Sequence, residues 1–336
     1  MWHRKTIFRT LAVLAILSGL GGTEGASAQA PTDRQSLDDA WWTGPMLAPS
    51  AATLPKGHFL IEPYLYDVIV VGRFDGNGSR RNAARSNGLG SLTYINYGLV
   101  DRFTVGVIPT VGYNRMSEGP SSGGVGMGDV TVQGQYRLTK FHEGNWIPTT
   151  SFAVQETFPS GKYDHLGDRP SDGLGSGAYT TTLAFYAQTY FWLPNRRILR
   201  MRMNVSESIS SSVSVAGVSV YGTEAGFRGH ASPGSTTFVD ASWEYSLTRS
   251  WVLALDATYR HQRNTHVTEN NTVDVEAQSP DILRLDTGAT DAVGFAPAIE
   301  YSWKPNLGVL LGVRVIAAGR NAAATITPAV AINFVR

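Results

Sequence analysis

The chain has 336 residues with 28 Lys+Arg against 27 Asp+Glu, 36 Gly, 16 Pro and no cysteine, and 16% of it is charged. A formal charge of +1 excludes nucleic acid as a partner, which demands a clustered basic excess, and the lack of cysteine excludes disulfides and thiolate metal sites. The charged share lies well below the roughly 25% of soluble domains.

Residues 1–30 read as a secretory signal peptide. Arg4, Lys5 and Arg9 precede an apolar run over 11–20, and Ala28-Gln29-Ala30 supplies small residues for cleavage. The run is too short to cross a bilayer, so export is the expectation rather than anchoring. Residues 31–57 are polar and aperiodic apart from Trp41, Trp42, Met46 and Leu47. They are either a periplasmic N-terminal segment or a plug that enters a lumen.

From 58 to 336 the chain breaks into segments in which apolar and polar side chains alternate, the period of strands with two unlike faces. In one, Val239, Ala241, Trp243, Tyr245 and Leu247 oppose Asp240, Ser242, Glu244 and Ser246; in the next, Trp251, Leu253, Leu255, Ala257 and Tyr259 oppose Ala254, Asp256, Thr258 and Arg260. Twelve such segments centre near residues 65, 94, 108, 133, 152, 185, 202, 241, 256, 297, 313 and 330. Tight connections at 98–101, 141–145, 194–196, 248–249 and 305–306 alternate with longer ones rich in Gly, Ser, Asn, Asp and Pro. Lipid cannot hydrogen-bond a peptide group, so a sheet in a membrane must close and leave no edge. The expected fold is therefore all-β: a transmembrane antiparallel β-barrel of about 12 strands with long extracellular loops and short periplasmic turns, in the outer membrane of a Gram-negative bacterium. Tyr97, Trp146, Phe191, Trp192, Trp243, Tyr245, Trp251, Tyr301 and Trp303 gather near the tight turns and read as an interfacial girdle.

Several motifs also resemble one family. Leu54-Pro55-Lys56-Gly57 leads into Glu62-Pro63-Tyr64; Gly98-Leu99-Val100-Asp101-Arg102 is followed by Gly106, Val107 and Pro109; then come Gly126-Met127-Gly128-Asp129-Val130 and Phe158-Pro159-Ser160-Gly161. Their order and spacing resemble the outer-membrane transporter-like proteins linked to the meta-pathway of phenol degradation, in which Thr often stands where Ser160 does. The resemblance implies passage of small hydrophobic or aromatic solutes across the outer membrane. Outer-membrane barrels tend to end on an aromatic residue read by the barrel-assembly machinery, their partner at insertion, whereas Phe334 is followed by Val335 and Arg336.

Gly124 to Asp129 looks like a phosphate-cradling loop but leads into an alternating segment, not a helix, so no helix N-terminus is available to a phosphate. His165 between Asp164 and Asp168, and His261 and His266 near Glu269 and Asp274, lie at or beyond segment ends with no serine at a nucleophile's spacing. No catalytic residue, metal or cofactor is expected. A barrel enzyme working at its mouth, or a barrel whose loops 210–234 and 264–286 bind a surface partner, are the alternatives.

Parity assigns to the lumen Glu62, Tyr64, Tyr66, Gln133, Gln135, Arg137, Gln155, Tyr186, Gln188, Tyr190, Arg200, Arg202, Asp240, Glu244, Asp256, Arg260, Glu300 and Arg314. Both signs are mixed, so ion pairs across the lumen are expected, with tyrosine rings and arginine cations left for aromatic solutes. Twelve strands leave a lumen narrower than that of the larger porins.

Overall fold

The computed structural model describes residues 34–269, 284–286 and 288–336. The proposed signal peptide lies outside them. Among the described residues twelve antiparallel strands form the wall: β1 (Phe59–Phe74), β2 (Ser86–Val100), β3 (Phe103–Ile108 with Thr110–Met116), β4 (Val130–Thr139), β5 (Thr149–Phe158) and β6 (Thr180–Trp192). The second half comprises β7 (Ile198–Ser210), β8 (Thr236–Ser246), β9 (Trp251–Gln262), β10 (Thr290–Lys304), β11 (Leu307–Arg320) and β12 (Ala323–Val335). All twelve centres read from the alternation fall inside these strands. β1 pairs with β12, from Leu60 opposite Val335 to Arg73 opposite Ala323, and with β2 on its other side, so the sheet closes.

Pro109 divides β3 because it has no N–H to donate. Its carbonyl still accepts the Thr93 N–H at 3.2 Å, which keeps the ladder to β2 continuous. The other edge changes partner there. Phe103–Ile108 pairs with β4, whereas Thr110–Met116 meets only the short strand Gly126–Met127.

Alternation becomes two faces. On β9, Trp251, Leu253 and Leu255 are exposed on the outer surface, while Val252, Ala254, Asp256 and Thr258 are buried within. Outer aromatics collect at the short-turn end, where the Trp251 and Tyr301 rings lie 4.6 Å apart and Tyr301 meets Trp303 edge-on at 5.3 Å. Trp192 is a correction to the girdle. It shares the inward parity of Tyr190 on β6, and its Nε1 donates to the Gln35 carbonyl at 2.7 Å.

Both ends of the barrel segment lie together at the short-turn end, the Phe59 N–H donating to the Arg336 carbonyl at 2.8 Å and the Arg336 N–H to that of Phe59 at 2.9 Å. The opposite end carries the longer connections, except that β11 and β12 are joined by Asn321-Ala322 alone. Asn321 sits at φ 51°, a left-handed conformation that asparagine tolerates. Two stretches read as loops contain short strands instead. Val213–Ala216, Arg228–Ser232, His266–Glu269 and Arg284–Asp286 form an antiparallel sheet beyond the barrel mouth. Val213, Val215, Phe227, Ala231 and Val267 are buried as its own apolar cluster.

Candidate functional site: a strapped lumen

Residues 34–57 run through the barrel interior as a strap, and inward groups of the wall hold it by its backbone. Glu300 Oε2 accepts the N–H groups of Thr43 at 2.7 Å and Gly44 at 2.9 Å. Asp256 Oδ2 accepts that of Met46 at 3.1 Å, and Arg202 Nη1 donates to the Ala48 carbonyl at 2.8 Å. Gln35 is tied to the wall at four points, to Ser246 Oγ through its amide nitrogen, to the Ile198 N–H through its amide oxygen, to Trp192 through its carbonyl and to the Arg196 carbonyl through its N–H. An aperiodic segment has no ladder partner, so its backbone groups must be satisfied by side chains or by turn carbonyls, and this barrel supplies both, Arg196 and Arg249 accepting the Gln35 and Trp41 N–H groups.

Beneath the strap lies a cross-strand ion cluster. Arg200 on β7 stands directly opposite Glu244 on β8 and pairs with both carboxylate oxygens, while Arg202 Nε reaches Glu244 Oε2 at 3.0 Å. Glu244 is fully buried and both arginines nearly so. The expected pairing across the lumen is therefore corrected: charge is neutralised between adjacent strands, where register brings the groups together. The Arg200 guanidinium also stacks on Trp42 of the strap, 4.4 Å from the ring centroid.

Beside the strap a gap of about 300 Å³ remains toward β1–β6. Tyr64, Tyr94 and Tyr186 line it with Glu62, Gln133 and Gln155. Tyr64 and Tyr94 meet edge-on at 6.0 Å, and a relay from Gln155 through Gln133 to Asn96 fixes the amides at 3.1 and 2.7 Å. Tyr94, not among the residues assigned to the lumen above, shares the inward parity of Leu92 and Asn96. Arg137 faces inward nearer the short turns, its N–H bonded to the Arg102 carbonyl, and does not join this group.

Above the strap the lumen widens into a vestibule of about 740 Å³ that includes Arg260, Arg314 and a band of serine and threonine hydroxyls. Asp240 and Asp256 are fully buried. Tyr221 reaches over the vestibule from the 211–235 connection and donates to the Ser176 carbonyl; burial pushes its hydroxyl up to about 12, with Asp129 and Tyr163 adding to the effect.

The sequence motifs meet in pairs. Leu54-Pro55-Lys56-Gly57 docks on the turn at 98–101: the Lys56 N–H reaches Asp101 Oδ1 at 2.9 Å, the Gly57 N–H reaches the Gly98 carbonyl at 2.8 Å, and a Cβ on Gly98 would sit 2.1 Å from the Pro55 oxygen. At the other end Asp129 accepts the Gly161 N–H at 3.0 Å and both the N–H and hydroxyl of Ser176 at 2.8 Å, while Ser160 Oγ donates to the Gly128 carbonyl at 3.0 Å. Asp129, at the rim of the lumen, therefore clamps a loop to the wall.

The histidines are placed apart. His165 Nδ1 lies 3.0 Å from Asp164, whose other oxygen accepts the Ala216 N–H. His261 points outward on β9 and meets Asp291 at 2.7 Å, an oxygen shared with the Tyr259 hydroxyl. Among the described residues no three His, Cys, Asp or Glu are grouped to hold a metal ion.

A family model described as "Putative MetA-pathway of phenol degradation" matches residues 71–327. The chain belongs to that family. No curated protein matches it. Among solved structures, an outer-membrane channel from Pseudomonas putida F1 superposes with a TM-score of 0.64 at 14% identity, over 87% of this chain and 100% of that one. The fold is thus that of an outer-membrane β-barrel. The translocator domain of an autotransporter from Neisseria meningitidis reaches a TM-score of 0.41 at 13% identity, over 84% of this chain and 89% of that one.

Proposed function

We propose that this protein is a passive outer-membrane channel for small hydrophobic, chiefly aromatic, compounds, with no enzymatic role. The observation that carries the reading is the gap beside the strap, narrow and faced by three tyrosine rings, because ring edges and faces favour an aromatic solute over a sugar of equal size. Gln155 borders both this gap and the vestibule, which makes the two successive stations of one route. Family membership supports the solute class, and the likeness in fold to a bacterial channel supports the location.

In this reading the leader exports the chain, the barrel-assembly machinery inserts it among outer-membrane lipids, the short turns face the periplasm, and the strap closes the route to large polar solutes. Glu62, Tyr64, Tyr186 and Gln155 line the path; Arg200, Arg202, Glu244, Asp256 and Glu300 hold the strap. Planar-bilayer recording tests this. The refolded mature chain is expected to give small single-channel conductances that phenol reduces by occupying the gap, and large conductances indifferent to phenol would refute it.

A further inference from the structure

Arg260 on β9 and Arg314 on β11 face the same vestibule from either side of β10. The inward residues of β10 between them are Ala292, Gly294 and Ala296, so no bulky side chain separates the two cations. Neither is ion-paired among the described residues: Arg260 donates to the Gln262 amide oxygen at 3.4 Å, and the Nε of Arg314 is buried without a hydrogen-bond partner. Asp129, the acid among the described lining residues, spends its carboxylate on Gly161 and Ser176; Asp240 and Asp256 lie behind Arg314, fully buried and outside the cavity lining.

Two like charges facing one cavity, whose neighbouring carboxylates are either engaged or buried out of its lining, gain most from an anion shared between them, and a planar guanidinium matches a carboxylate. Phe238 stands directly opposite Arg260 in the β8–β9 ladder and lines the cavity beside it, an apolar surface next to the cations. We infer that the vestibule is a binding site for small aromatic carboxylates, with Arg260 and Arg314 holding the carboxylate and Phe238 contacting the ring. Binding rests on this geometry alone; its place as the first station of uptake rests on the channel reading above.

The test is calorimetric titration of the full mature barrel, folded in detergent, with benzoate and with benzyl alcohol. Benzoate is expected to bind at least tenfold more tightly than the alcohol, and Arg260→Gln with Arg314→Gln to remove that preference, as expected for loss of charged hydrogen bonds. Arg260→Lys with Arg314→Lys keeps the charge, so retained preference there shows that the Gln pair failed through charge and not through folding. Equal binding of the two probes, or a preference that survives the Gln pair, overturns the inference. Benzoate binding by a barrel that passes no aromatic solute in liposomes would sink the channel reading and leave this site standing; aromatic flux without benzoate binding would do the reverse.

Discussion

The Nη1 of Arg202 donates to the carbonyl oxygen of Ala48 at 2.8 Å, a contact that joins a wall strand to a segment more than 150 positions earlier in the chain. The same side chain reaches Glu244, so strap and ion cluster form one network. A single disturbance in it is expected to change both stability and passage.

Removing residues 35–51 takes away the strap and leaves the twelve wall strands. Single-channel conductance is expected to rise several-fold, since the lumen of a twelve-stranded barrel is then filled by its lining side chains alone. Unchanged conductance in planar bilayers would mean that the strap does not restrict the path.

Glu300→Ala deletes the acceptor of two backbone N–H groups in a fully buried place. A buried donor left unsatisfied costs about 1–3 kcal/mol, so with two of them denaturant unfolding is expected to show a loss on the order of 3 kcal/mol. The freed strap also predicts noisier and larger channel currents. A variant as stable and as quiet as the parent would contradict the anchoring role.

Arg200→Ala leaves Glu244 with Arg202 alone. Breaking a buried pair by removing one partner costs about 3–5 kcal/mol, whereas replacing both partners with apolar groups of similar volume is often neutral. Replacing all three members, Arg200→Met and Arg202→Met with Glu244→Leu, leaves no charge of the cluster unpaired and is therefore expected to recover most of the loss seen in Arg200→Ala, as read by unfolding midpoints. Equal damage from both would show that the cluster does more than balance its own charge.

Alkaline titration probes the Tyr221 contact over the vestibule. Tyr221 donates to Ser176 while protonated, and its hydroxyl is pushed up to about 12 from the ordinary value of about 10. Its stabilising contribution is thus fully present below about pH 10 and is lost as pH rises toward 12. Subtracting the phenolate absorbance of Tyr221→Phe from that of the parent should isolate one tyrosine titrating near 12; a midpoint near 10 would show that Tyr221 is solvent-exposed.

The wall was legible because a strand with lipid on one face and a lumen on the other must alternate, as β8 does from Val239 to Ser246 and β9 from Leu255 to Arg260. Trp192 was misjudged because aromatic character says nothing of parity near a strand end, whereas its spacing from Tyr190 does. That 31–57 could plug a lumen was readable from its buried-type residues Trp42 and Met46. Its partners were not, since a segment without period carries no register to point at Glu300 or Asp256. The sheet beyond the barrel mouth escaped notice because strands of three to five residues give too few alternations to stand out from a loop.

The most direct test of the central claim is solute flux into liposomes carrying the refolded mature chain, with labelled toluene, phenol and a sugar of similar size. The account predicts entry of both aromatics well above protein-free liposomes and exclusion of the sugar. Entry of the sugar at the rate of phenol, or of none of the three through a barrel shown by gel shift to be folded, would contradict it.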